Sequence, residues 1–119
     1  MLDGYYVKLQ DAYASEANKA GTWKNIGYVA PGASAAGDKG ETTNFTYTGS
    51  IAADVDIKDD MADQANAWLA SNNVALNDCK ISTGAWTITV KAASNGNSLT
   101  YEATTACGEL TPSFDKIGK

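Results

Sequence analysis

The chain has 119 residues, 44% of them hydrophobic and 19% charged, and a formal net charge of −5. That is one domain's worth of sequence, apolar enough to fold around a modest core rather than stay disordered. All nine basic residues are lysines and histidine is absent; the acidic balance without arginine argues against nucleic acid or an anionic membrane surface as partner, and the missing imidazole removes the commonest general base and a favoured zinc ligand.

Residues 4–20 predict an amphipathic helix. Tyr6, Leu9, Tyr13 and Ala17 recur at helical spacing, with Leu2 one turn earlier, while Lys8 and Asp11 fall on the opposite face. Asp3 is placed to cap its start and Gly21 to stop it. Residues 21–42 are rich in Gly and Ala, and 31–40 (Pro-Gly-Ala-Ser-Ala-Ala-Gly-Asp-Lys-Gly) form a long loop by composition. Residues 43–49 alternate polar and aromatic, which predicts a half-buried strand with Phe45 and Tyr47 inward.

Residues 51–76 read two ways. Asp59 or Asp60 can cap a short helix over 59–71 carrying Met61, Ala65, Trp68 and Leu69 on one face, and the alanine content favours that. Alternatively a strand begins near Ala67 and runs toward Cys79. The helix is the preferred reading. Residues 84–91 then alternate with Trp86, Ile88 and Val90 on one face. Asn95-Gly96 suits a type I′ turn, and 99–103 alternate again with Leu99, Tyr101 and Ala103 together. This predicts a hairpin with one apolar side.

Cys79 precedes the hairpin and Cys107 follows it. An even pair in a small polar domain reads as one disulfide and an oxidising compartment, the alternative being two buried free thiols. The closed loop would contribute about 3.5 kcal/mol in the chain-entropy model. The elements add up to an α+β domain: one N-terminal amphipathic helix packed on a three- or four-stranded antiparallel sheet, with a disulfide-stapled C-terminal hairpin, in a single domain over residues 1–119.

This order resembles the globular head of type IV pilins and type II secretion pseudopilins. The helix at 5–20 matches the spine, 21–42 the variable loop, the strands within 43–103 the sheet, and Cys79 with Cys107 the C-terminal staple. Trp23-Lys24-Asn25-Ile26-Gly27-Tyr28 and Leu76-Asn77-Asp78-Cys79 resemble segments of small bacterial pilins. The basic leader and the apolar N-terminal helix of prepilins have no counterpart, so the resemblance implies that this half-helix has been removed. It implies a non-enzymatic fimbrial subunit of a bacterial surface filament serving cell adhesion, motility or secretion. Its partners are copies of itself or other pilins, and it meets the membrane only through the missing helix.

Chemistry is sparse. Without histidine no Ser/His/Asp or Cys/His arrangement is possible, no nucleotide fingerprint occurs, and no cofactor is implied. Asp54, Asp56, Asp59 and Asp60 form an acidic run with the alternating oxygen ligands that suit calcium, although Lys58 interrupts it and a solvated acidic loop is the plainer reading. Trp23 borders the Gly-rich loop and is the best candidate for an exposed ligand contact. It supports an alternative function, a surface carbohydrate-binding or adhesion module using Trp23 or the loop at 31–40, against the plainer reading of core packing.

Overall fold

A computed structural model describes residues 3–75, 82–94 and 96–107. Helix α1 (Asp3–Ala17) is followed by strand β1 (Lys19–Ala20) and the one-turn helix α2 (Trp23–Ile26). An irregular stretch then leads to β2 (Gly40–Glu41), β3 (Phe45–Thr48), β4 (Val55–Asp56), β5 (Gln64–Asn72), β6 (Ser82–Ala92) and β7 (Leu99–Thr105). An antiparallel sheet of five strands runs β2-β3-β5-β6-β7, and β1 pairs with β4 in a separate two-stranded ribbon. The sheet among the described residues is therefore larger than the three or four strands expected from sequence.

The extra size comes chiefly from β5. The expected helix over 59–71 is replaced by the central strand of the sheet, paired with β3 from Phe45↔Asn72 to Thr48↔Leu69 and with β6 from Gln64↔Val90 to Asn72↔Ser82. Neighbours on both sides satisfy its backbone groups, which outweighs the helical preference of alanine. Trp68, Ala70 and Asn72 alternate onto the core face. The small Ala70 lies between Tyr47 and Trp86 in register, leaving room for both aromatic rings. Ala65 is exposed, where the helical reading placed it on the buried face.

The hairpin forms as its alternation predicts. β6 and β7 pair from Trp86↔Thr105 to Ala92↔Leu99, and Trp86, Ile88, Val90, Leu99, Tyr101 and Ala103 are buried together. Its connection is wider than a two-residue turn. Ala93 N–H donates to Ser98 O, Gly96 N–H to Ala93 O, and Gly96 has φ +71°, while Asn95 lies outside the described residues. Cys107 is disulfide-bonded, and no cysteine among the described residues is free. No disulfide joins two described residues, because Cys79 lies outside them, and the hairpin's coherence rests on its ladder and packed face.

Helix α1 docks on the core through a stripe rotated from the expected one. Tyr6, Val7, Gln10 and Ala14 are buried, whereas Leu9, Tyr13 and Ala17 are half-buried. The rotation follows from Gln10, a polar residue that an apolar periodicity does not count. Its side chain is fully buried; Nε2 donates to Gly21 O (2.8 Å) and Tyr6 Oη (3.0 Å), and Oε1 accepts from Gly21 N–H (3.0 Å). The amide thus pairs with the Gly21 backbone as a neighbouring strand would. Asp11 is exposed, as expected, and its carboxylate also accepts a hydrogen bond from Tyr101 Oη at 2.6 Å, which fastens α1 to β7. The helix ends at Ala17, earlier than Gly21. Asn18 takes φ +55° and its carbonyl accepts Ile57 N–H, which diverts the chain into β1.

The core face of the sheet and α1 are joined by a train of rings. Tyr6 meets Tyr28 edge-on (5.4 Å between centroids), and Tyr28 meets Trp23 edge-on (4.8 Å). Trp68 Nε1–H donates to Tyr28 Oη (2.9 Å), Tyr47 lies 5.8 Å from Trp68, and Phe45 bridges Tyr47 and Trp86. Aromatic residues supply the volume that the many alanines do not.

Replacing Gln10 with Leu preserves most of the volume and removes both bonds to Gly21. It is expected to cost about 2–4 kcal/mol in urea unfolding, because a buried N–H and carbonyl lose their partner. A loss below about 0.5 kcal/mol would show that the Gln10–Gly21 pairing does not anchor α1.

Candidate functional site

Two constellations stand out where α2, the loop at 28–39 and the segment after β3 meet. The first is centred on Asp54. Thr22 is the N-cap of α2, its Oγ1 accepting from Asn25 N–H at 3.1 Å. Asp54 reinforces this end from outside the helix: its carboxylate accepts from Tyr13 Oη (2.5 Å), Thr22 N–H (3.0 Å) and Asn25 Nδ2 (3.1 Å). Desolvation pushes the Asp54 carboxyl upward. The hydrogen bonds from Tyr13, Thr22 and Asn25 and the charge of Lys19 outweigh it and hold the group below the ordinary carboxylate value. The same bond to Asp54, with desolvation and the carboxylate's charge behind it, raises the Tyr13 phenol.

The acidic run expected to suit calcium is dispersed by these bonds. Asp54 serves Tyr13, Thr22 and Asn25, while Asp56 pairs with Lys19 across the β1–β4 ribbon at 3.2 Å. Asp59 and Asp60 sit in an exposed turn, with Asp59 packed near Gly96 of the hairpin loop. Among the described residues no group of three or more acidic or cysteine side chains is arranged to hold a metal ion. Alternation along a sequence gathers ligands only when the backbone curls around a centre, and here the run extends through β4 and into a turn.

The second constellation is an open cleft of about 420 Å³ lined by Thr22, Trp23, Lys24, Gly37, Lys39, Thr48, Gly49, Ile51 and Ala52. Trp23 does not offer the exposed face expected from its place beside the Gly-rich loop. It is only 6% exposed, its Nε1–H donates to Ala67 O at 3.0 Å, and its ring packs on Tyr28 and Tyr6. The loop at 31–40 is indeed without helix or strand until Gly40, yet it is tied down. Gly37 N–H donates to Tyr28 O, Ala33 N–H to Ala30 O and Asp38 N–H to Ala35 O. Gly32, at φ +80°, lies against the Glu41 carbonyl.

Glycine shapes the cleft. A Cβ at Gly49 would run into the Trp23 indole, and one at Gly37 into the Lys24 side chain. Lys24 and Lys39 at its rim are exposed and make no ion pair among the described residues, unlike Lys19 and Lys91. Sequence reading missed these lysines and Thr48, which are distant along the chain and carry no motif. The one signal was the concentration of glycine around them.

Removing the Asp54 carboxylate by substitution with Ala is expected to cost about 1.5–3 kcal/mol at neutral pH, from hydrogen bonds to a charged acceptor. Because the folded-state pKa is depressed, that stability is present above the ordinary value of 3.8 and is lost as pH falls through the lower folded-state value. Urea midpoints of both proteins between pH 7 and 2 check this; a gap that does not narrow toward low pH would refute the assigned role.

No protein family, curated protein or solved structure matches the chain, those of pilins and pseudopilins included. The fimbrial and adhesive character that the resemblance implied is therefore withdrawn as a description of this protein.

Proposed function

We propose that the chain is the globular part of a structural subunit of an extracellular filament, acting without catalysis. The observation that carries this reading is the docking of α1. One face, formed by Tyr6, Val7, Gln10 and Ala14, is buried against the core, while Lys8, Ala12, Ser15 and Glu16 face outward. The chain then runs through a tied-down loop into an antiparallel sheet. A helix held rigidly by one face leaves its other face for neighbours in an assembly.

Two exposed apolar side chains support the same reading. Tyr5 is 51% exposed at the start of α1 and lies 6.3 Å from the Tyr28 ring, and Val29, next to Tyr28 in the chain, is 42% exposed. Such residues suit a contact between subunits. Among the described residues no helix is long and apolar enough to cross a membrane. A membrane-held assembly precursor would need such a segment upstream of residue 1, and the encoding gene gives a direct check.

Antibodies against this domain are expected to decorate filaments sheared from the surface of the source cells in electron microscopy. Label confined to the cell interior would overturn the reading. Tyr5→Lys is expected to abolish filament formation in those cells while shifting the thermal midpoint of the isolated domain by less than about 2 °C, as for a surface change. Normal filaments from the variant would remove Tyr5 from the assembly contact.

A further inference from the structure

The cleft over Trp23 has features that the filament reading does not use. Two lysines, Lys24 and Lys39, line one cavity in a chain whose net charge is −5. Like charges gathered in a cavity repel each other, and a cavity of one sign concentrates ions of the other. Asp38, between Gly37 and Lys39 in sequence, is exposed and does not line the cavity. The remaining wall is mixed: Thr22 and Thr48 line it beside Trp23, Ile51 and Ala52, and the Thr22 hydroxyl also accepts Asn25 N–H.

A volume of about 420 Å³ is within the range of small-molecule sites and exceeds what an inorganic ion fills. Gly37 and Gly49 keep the walls apart, since a side chain at either would collide with Lys24 or Trp23. The floor is rigid, because Trp23 is fixed by its bond to Ala67 O and by its ring contacts.

We propose that this cleft binds an acidic sugar unit, a pyranose bearing a carboxylate. Lys24 and Lys39 take the carboxylate as point charges. The hydroxyls of Thr22 and Thr48 meet ring hydroxyls, and the Trp23–Ile51 surface meets the C–H face of the ring. The inference relocates ligand recognition from an exposed tryptophan face to the lysines above a buried one, and it stands independently of filament assembly.

The test is titration of the ¹⁵N-labelled chain with trigalacturonate, followed by two-dimensional NMR, with trigalactose, acetate and inorganic phosphate as parallel probes. Saturable shifts at Trp23, Lys24, Lys39, Thr48 and Gly49 are expected with trigalacturonate and not with trigalactose. Acetate and phosphate should bind at least 10-fold more weakly. The double variant Lys24→Gln/Lys39→Gln should lose at least 10-fold in affinity with its remaining spectrum unchanged, and Lys8→Gln should bind as the parent does. Equal binding of trigalactose would overturn the charge assignment. Equal binding of acetate or phosphate would reduce the cleft to a general anion site and overturn the sugar assignment. The absence of shifts at the cleft, or full affinity in the double variant, would overturn the proposal altogether.

Discussion

Trp68, at the centre of the sheet, donates its indole N–H to Tyr28 Oη, and the arrangement of the remaining elements depends on that bond. Tyr28 belongs to the turn after α2, so the bond draws the irregular half of the chain onto the middle of the sheet. Tyr6 and Trp23 then close on the Tyr28 ring, bringing α1 and α2 with them. On the other side Tyr47, Phe45 and Trp86 continue the contact across β3 and β6. In an alanine-rich chain with few large aliphatic residues, the four largest fully buried side chains are rings, Trp68, Trp86, Tyr6 and Tyr28, and edge-on pairs add a modest directional preference. Alanines such as Ala67 and Ala70 provide the space that the rings occupy.

Polar side chains then determine how the helices sit on this aromatic layer. Gln10 pairs with the backbone of Gly21, and Asp54 draws Tyr13, Thr22 and Asn25 together. Asp11 holds Tyr101. Each bond contributes only about 1 kcal/mol net, or somewhat more with a charged partner, but losing one partner of a buried pair costs more than forming the pair gains. Among the described residues no buried side-chain nitrogen or oxygen lacks a hydrogen-bond partner. The helix is thereby fixed in rotation as well as position, which determines the residues it leaves on the outside.

The cleft is a consequence of the same packing. Trp23 turns its N–H toward Ala67 because a bulge in β5, with Asn66 at φ +58° and Ser50 bonded to Ala65 and Asn66, presents that carbonyl. The indole then becomes a floor, and the glycines on either side leave the space above it open. Lysines on α2 and on the loop reach the rim from positions 15 residues apart in the chain. A structural anchor and a candidate binding surface thus share one tryptophan, which packs on Tyr6 and Tyr28 and lines the cleft.

By itself the sequence determined the N-terminal helix, most of the loop at 31–40, the strand at Phe45–Thr48 and the C-terminal hairpin, though not α2 at Trp23–Ile26. In these segments local periodicity and the burial imposed by the tertiary structure agree. Trp86, Ile88 and Val90 alternate because one face of β6 is buried, and that alternation is visible without knowing what covers it. Only the tertiary structure decided the state of Gln64–Asn72, where alanine prefers helix and two neighbouring strands impose extension. It also decided the rotation of α1, because Gln10 is buried for its hydrogen bonds and not for its hydrophobicity. Burial of Trp23 and the gathering of Lys24, Lys39, Thr22 and Thr48 depend on the bulge carbonyl at Ala67 and on chain crossings between distant segments. Contacts of that kind leave no periodic trace along the sequence.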